Sequence, residues 1–242
     1  EKLIVSFMGD DIIGANRKDG SYTLGSKMFS IINKLLSKYC YNYCIVKSEG
    51  MYKKLKLTKK VSIIPNGVDI SEFKPVKSSE AFSETNFDPL KKHILFVTNP
   101  SRVEKNFILA KEAMDILGKD CILEVLTDIP NEKLRYFYSI ADTLLLTSFH
   151  EGSPNVVKEA MACNCPVVST PVGDVEWLFG GVPGHYISSF VASDVSNKIA
   201  NAISFRESRK FTEGRNRILE LNLDNENVAK KILEVYTMFY KE

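Results

Sequence analysis

The sequence predicts an α/β protein built on a doubly wound parallel sheet. Three observations carry that expectation. From residue 93 to about 200, short apolar runs alternate with helix-period stretches at the spacing of βαβ units. Turn signals such as Pro65-Asn66-Gly67 close the runs. Composition is that of an ordinary globular chain, 44% hydrophobic and 26% charged, with no repeat or low-complexity tract.

The elements follow in order. Residues 3–7 and 44–47 read as strands, with a helix near 25–39 between them. Residues 61–64 form another brief strand. Residues 74–92 are polar, hold two prolines and lack periodicity, which predicts a linker. Beyond them strands are expected at 93–98, 121–126, 143–147 and 166–169, and helices at 106–117, 131–139 and 154–163. Parallel strands joined in this way take right-handed crossovers. The tail is helical, with Val228, Ile232, Tyr236 and Phe239 on one face. Residues 93 to about 200 suffice for one doubly wound domain. Residues 1–60 bury too little for a second and read as the remnant of a first one. The chain starts at Glu1, with its first methionine at Met8, so an upstream segment is expected.

A net charge of +2 gives no reason to expect nucleic acid as a partner. The five cysteines are an odd number, and Cys163 and Cys165 stand too close for a metal knuckle or an easy disulfide. Reduced thiols in a cytoplasmic protein are expected. No apolar run approaches the roughly 18 residues of a membrane span, and no signal peptide is visible.

The stretch HEGSPNVVKEAMACNCPVV at 150–168 is the most informative. It follows the strand expected at 143–147, and ligands of parallel α/β sheets sit at the carboxyl ends of strands. Ser153 suits an N-cap, Pro154 the first helical position, and Gly152 a sharp turn. The N–H groups of Asn155 and Val156 are then free to meet an anion, phosphate above all. At about 100° per residue, Glu159 lies one turn beyond Asn155, off the apolar face, and Lys158 on the opposite flank. A carboxylate there can accept two hydrogen bonds from a vicinal diol such as a ribose. Alternatively, Glu151 and Glu159 are solvated acids favoured by the helix dipole.

Other constellations are weaker. Arg102 and Lys105 flank Glu104 in a loop after a strand. Asp10-Asp11 follows the first strand and suits a turn or cap; with no DxD pair and no nearby histidine, a metal site is not expected. MYKKLKLTKK at 51–60 is a lysine-rich helix end. The three histidines have no ligand spacing.

EGSPNVVKEAMACNCPVVSTPVGDV at 151–175 resembles the donor-binding signature of GT-B glycosyltransferases, the large retaining family that uses nucleotide sugars. The resemblance includes the E-x7-E pair, the EAMA helix, the PVV strand and the VGD loop. IPNGVD at 64–69, followed by Phe73 and Pro75, is similar to that family's interdomain segment. FVTNPSRVEKNF at 96–107 is similar to the first strand and phosphate loop of its second domain. Most of residues 61–190 are covered.

The resemblance implies a role for each position. Glu159 would hold the nucleotide ribose and Glu151 the transferred sugar. The backbone of Gly152, Ser153, Pro154, Asn155 and Val156 would cradle sugar and phosphate. Arg102 and Lys105 would neutralise the departing diphosphate without a metal, although they stand closer in sequence than is common in the family. SFMGDDIIG at 6–14 resembles the family's HGxD loop, facing the cleft from the first domain. Met8 occupies the histidine position there, while Gly9 and Asp11 match.

The resulting expectation is a GT-B protein: 1–60 a remnant of the acceptor domain, 61–92 an interdomain segment and linker, 93–204 the nucleotide-sugar domain, and 205–242 C-terminal helices returning to the first domain. It would transfer a glycosyl unit to a glycan, lipid-linked or small-molecule hydroxyl acceptor, with retention and without metal or cofactor. It would be cytoplasmic, with peripheral contact to the inner face of a membrane through the lysines. The alternative is a nucleotide-sugar-binding module without turnover. A dinucleotide oxidoreductase is disfavoured, since no GxGxxG follows a strand.

Overall fold

The structure, a computed structural model, describes residues 2–15, 20–209 and 211–240 of the 242. Glu1, on which the expectation of an upstream segment rests, lies outside them.

The first half is a three-stranded parallel sheet in the order β1-β2-β3. Strand β1 (Ile4–Ser6) leads into the short α1 (Asp10–Ile13) and the long α2 (Leu24–Tyr39). Then follow β2 (Tyr43–Val46), α3 (Glu49–Leu55) and β3 (Val61–Ile63). Ile4 pairs with Tyr43, and Cys44 with Val61. Phe7, Ile12, Cys44, Val46, Met51 and Leu55 form its buried cluster.

The second half begins with α4 (Ser78–Thr85), β4 (Lys92–Val97), a 3-10 turn at Val103–Lys105 and α5 (Phe107–Leu117). Next come β5 (Cys121–Leu126), α6 (Asn131–Ile140), β6 (Thr143–Leu146), α7 (Asn155–Ala162) and β7 (Val167–Ser169). The chain ends with α8 (Val175–Phe179), β8 (His185–Ile187), α9 (Ala192–Arg209), α10 (Gly214–Glu220) and α11 (Asn225–Tyr240). All five strands are parallel, in the order β5-β4-β6-β7-β8.

Alternation along the strands covers both faces of this sheet. Ile94, Phe96, Leu145 and Val168 pack against Leu109, Ala113, Val195 and Ile199 of α5 and α9. Leu95, Leu144, Leu146 and Val167 face the other way, toward Leu134, Val157, Met161 and Ile218. Side chains two apart share a face in a strand, so the nearly continuous apolar runs serve two cores. The fold is therefore the doubly wound α/β arrangement expected, with a second, smaller parallel sheet.

Some expectations are corrected. The stretch 74–92, read as a linker, holds α4, which packs on α6 through the fully buried Ala81. The Phe87 ring behind it stacks on His93 at 3.9 Å. Helix α9 runs unbroken across 204/205, where a boundary was expected. In α11 the deeply buried residues are Val228 and Val235, while Tyr236 is exposed, so the buried stripe steps i, i+7 rather than i, i+8. Strand β8 and helix α8 were not foreseen.

The halves are stitched where the chain crosses between them. Val68 N–H donates to Leu223 O at 2.9 Å and Asn225 N–H to Val68 O at 3.1 Å. From there α11 returns to the first sheet, where Phe239 meets Tyr43 edge-on at 5.8 Å.

Helix α2 is inside out. Its buried residues are Ser30, Asn33 and Ser37, with Ser30 and Asn33 bonded to the carbonyls of Ile12 and Asp11 at 2.6 and 2.9 Å. Leu24, Met28, Ile31, Ile32, Leu35 and Tyr39 are exposed. An apolar stripe of this kind favours association. The 242-residue chain is expected to sediment as a concentration-dependent oligomer, and Met28→Glu/Leu35→Glu to shift it to monomer with about 0.5 kcal/mol or less change in stability. A monomeric parent in analytical ultracentrifugation would contradict this.

Candidate functional site

In the order β5-β4-β6-β7-β8 the chain leaves β4 toward one side and returns on the other, so β4 and β6 bound a topological switch point. Ligands of open α/β sheets bind outside the carboxyl ends of such strands. The loops that meet there are 98–106, after β4, and 147–154, after β6.

The two loops are tied together. Phe149 N–H donates to Glu104 O at 2.8 Å, and Thr147 Oγ1 donates to the carbonyls of Lys105 and Asn106 at 2.9 and 3.1 Å. Asn106 takes the left-handed conformation (φ 50°) that asparagine tolerates, turning the chain into α5. This brings Lys105 Nζ to 2.7 Å from Glu151 Oε1, which also accepts from Ser148 Oγ at 2.7 Å. Both partners are nearly buried, at 12% and 14% exposure. No described residue bonds Oε2 of Glu151. Arg102 is exposed and pairs with Glu104 through Nε at 2.6 Å. Arg102, Glu151 and Gly152 share a cavity of about 390 Å³ with Gly9, Asp10 and Asp11 of the first sheet.

From that side Asp11 turns inward. Its carboxylate accepts Met8 N–H at 2.8 Å and Gly9 N–H at 3.0 Å, so it folds the loop rather than reaching across. Asp10, given only a turn or cap role by the sequence, spans the cleft: its Oδ1 lies 2.6 Å from His150 Nε2. That bond, more than any other influence, holds the Asp10 carboxyl below its usual range. Gly152 is fixed by contact. A Cβ added there would lie 2.1 Å from Met8 O, a backbone atom that cannot yield cheaply.

Helix α7 starts one residue later than expected: Pro154 occupies the cap position and Asn155 begins the helix. Ser153 does not cap it, because its hydroxyl is otherwise engaged. Ser153 Oγ donates to Asp174 Oδ2 at 2.6 Å, accepts from Lys158 Nζ, and accepts Asn66 N–H at 3.2 Å. Asn66 Nδ2 also donates to Ser153 O at 3.1 Å, pinning the inter-sheet segment to the loop. Lys158 is completely buried and lies 3.5 Å from Asp174. Burial pushes the Lys158 ammonium down and the Asp174 carboxyl up, and each one's charge opposes the shift of the other.

Asn155 stays exposed at the helix mouth and Val156 half-buried. Val156 and Glu159 line a separate cavity of about 240 Å³ with Thr98, Asn99 and Asp128. Glu159 Oε2 accepts the Tyr138 hydroxyl at 3.0 Å. Burial raises the Glu159 carboxyl, opposed by that bond and by Lys158. The structure thus gathers Gly9, Asp11, Arg102, Glu151 and Gly152 at one cavity, with Lys105 outside its lining and held on Glu151, and Val156 and Glu159 at another. The segment 153–155 lies between them. Among the described residues, no group of three His, Cys, Asp or Glu is placed to hold a metal. None of the helices described is long and apolar enough to cross a membrane.

Removing the lysine tests the buried cluster. Lys158→Met leaves the Asp174 charge uncompensated and should cost about 3–5 kcal/mol in urea unfolding. Lys158→Met/Asp174→Asn should recover much of the loss. Equal losses in the two variants would show that the pairing is unimportant.

Residues 92–205 match the family model described as Glycosyl transferases group 1. A D-inositol 3-phosphate glycosyltransferase from Pseudarthrobacter chlorophenolicus is 26% identical over 167 residues, 56% of this chain and 40% of that protein. The phosphatidylinositol N-acetylglucosaminyltransferase GPI3 subunit of Saccharomyces cerevisiae is 24% identical over 241 residues, 85% of this chain and 53% of that protein. The chain therefore spans about half or less of the length of these curated relatives. The crystal structure of Anabaena Alr3699/HepE in complex with UDP-glucose superposes with a TM-score of 0.80 at 15% identity, covering 99% of this chain and 73% of that one. Residues 92–205 are thus a domain matching the group 1 glycosyltransferase family, set in a chain that has the GT-B fold.

Proposed function

We propose that this chain binds a nucleotide-sugar donor and serves transfer of its glycosyl unit to a hydroxyl acceptor, with retained configuration and without a metal. The observation that carries this is the pair of cavities on either side of the α7 mouth. One is lined by Glu159 and the other by Arg102 and Glu151. A donor laid across residues 152–156 would put its nucleoside against Glu159 and its sugar against Glu151.

Each residue then has a physical task. Glu159 accepts the ribose hydroxyls while Tyr138 holds its other oxygen. The diphosphate lies at the α7 N-terminus, where free N–H groups and the helix dipole favour negative charge. Arg102 and Lys105 stabilise the charge that develops as the diphosphate departs, most strongly where water is excluded. Lys105 reaches it by sharing its proton donors between phosphate and Glu151, from which it stands 2.7 Å away. Oε2 of Glu151 meets the sugar. The uridine-bound Anabaena neighbour favours a uridine nucleotide, with the base near Leu126–Ile129. The same donor site serves the alternative reading, binding without turnover, which an assay for transferred or hydrolysed sugar distinguishes.

Two results are expected from nucleotide binding. In calorimetry, Glu159→Gln should weaken UDP by about 1.5–3 kcal/mol, through loss of a charge-assisted hydrogen-bond acceptor. Glu151→Gln should leave UDP affinity nearly unchanged and weaken only the UDP-sugar. Equal losses against bare UDP would contradict the division of roles. UDP affinity should also be the same with and without EDTA, and a collapse under chelation would overturn the metal-free reading.

A further inference from the structure

A third cavity, of about 570 Å³, lies beyond Gly173 and is walled from both halves by Lys47, Ile63, Asp174, Trp177, Leu223 and Lys231. It connects to the reaction centre through shared walls. Ser48 and Gly173 also line a cavity of about 240 Å³. That one shares His150 and Glu151 with the Arg102 cavity. Its volume is that of a small-ligand site.

Lys47 sets its chemistry. It follows β2 at the carboxyl edge of the first sheet, is 5% exposed, and finds no hydrogen-bond acceptor among the described residues. The charges around it do not serve it. Lys158 repels it, and Asp11, which attracts it, is held by its own loop amides. Asp174 is engaged through Oδ2 by Lys158 and Ser153, Glu49 pairs with Lys53 at 3.7 Å, and Glu176, which also lines the cavity, is exposed to solvent. Lys231 donates to Asn222 O. A desolvated cation without a counter-ion is costly, and an arriving anion relieves that cost.

Trp177 sets its shape. Its backbone carbonyl is anchored by Arg217 at 3.2 Å, yet the residue is 46% exposed. With Ile63 and Leu223 it gives an apolar wall to the cavity that Lys47 also lines. An indole beside one fixed charge suits a ring with a C–H face and an acidic substituent.

We infer that this cavity is an acceptor subsite for a pyranose bearing an anionic group, Lys47 taking the anion and Trp177 the ring. As an acceptor site it rests on the glycosyl-transfer reading above; as a binding site it stands on the cavity alone.

Trp177 is the chain's one tryptophan, so its fluorescence reports on this cavity. The 242-residue chain is titrated with methyl α-glucuronide, glucose 6-phosphate and methyl α-glucoside, with and without UDP. The anionic sugars should shift the emission saturably, at least tenfold more tightly than the neutral one, and their ranking tells carboxylate from phosphate. Lys47→Gln should weaken them at least tenfold while leaving the UDP thermal shift in place. Should that variant not fold, Trp177→Ala, at an exposed position, should abolish sugar binding in calorimetry and spare UDP. No saturable shift, equal affinity for the neutral glucoside, an inert Lys47→Gln, or the same titration with inorganic phosphate alone would overturn the subsite. Sugar binding without any nucleoside diphosphate binding would refute the donor reading and support the subsite; nucleotide binding without sugar binding would refute the subsite alone.

Discussion

The geometry of the candidate site depends on one buried charge. Lys158 lies wholly inside the protein, bonded to Ser153 and facing Asp174. An ammonium in that position persists only while its partners surround it. Those partners belong to different segments: Ser153 to the loop before α7, Asp174 to the loop after β7. Through Ser153 the cluster also grips Asn66, on the segment leaving the first sheet. Three loops are thereby fixed relative to one helix end, through Oδ2 of Asp174, while Oδ1 stays buried without a hydrogen-bond partner. The helix mouth points where it does because the charge behind it admits little slack.

Around this anchor the two sheets present their carboxyl edges to one another. Gly152 meets the Met8 carbonyl, and Asp10 meets His150. Neither contact is a large source of stability. They are tolerances: the first requires the smallest residue at 152, and the second aligns two loops 140 positions apart in sequence. The cavities are what remains once backbone contact limits how closely the halves approach.

Much of the second sheet was legible because buried parallel strands announce themselves as apolar runs. Residues 143–147 were read as a strand, and β6 at Thr143–Leu146 is buried at every position. Helix α4 was not legible: in SSEAFSET only Ala81 is buried, and one small residue makes no periodic signal. The apolar stripe of α2 was visible, but periodicity shows that a stripe exists and not which way it faces. At the site, the assignment of Glu151 and Glu159 to different partners came from the family resemblance, since the eight-residue spacing by itself suits two solvated acids equally well. Lys158 was missed because its partner Asp174 is distant in sequence, although Met161 and Ala162, one turn on, hinted at a buried flank. Ser153 was misread as a cap because its local context suits one, and tertiary partners claimed its hydroxyl instead. Asp10 and His150 could be placed in strand-end loops, but nothing local pairs two residues 140 positions apart.

The crossing between the halves has a mechanical consequence. Val68 lies beside Asp224 as a short parallel bridge, so the outgoing and returning chains are joined at one place. Two rigid bodies connected along one seam pivot about it, and displacement grows with distance from the axis. If the seam acts as the pivot, a few degrees of rotation repack little near Val68 but change the gap at Met8 and Gly152 far more. The mouth would then widen or narrow like a jaw, while the buried lysine with Ser153 and Asp174, riding on one side, keeps the same shape throughout the stroke.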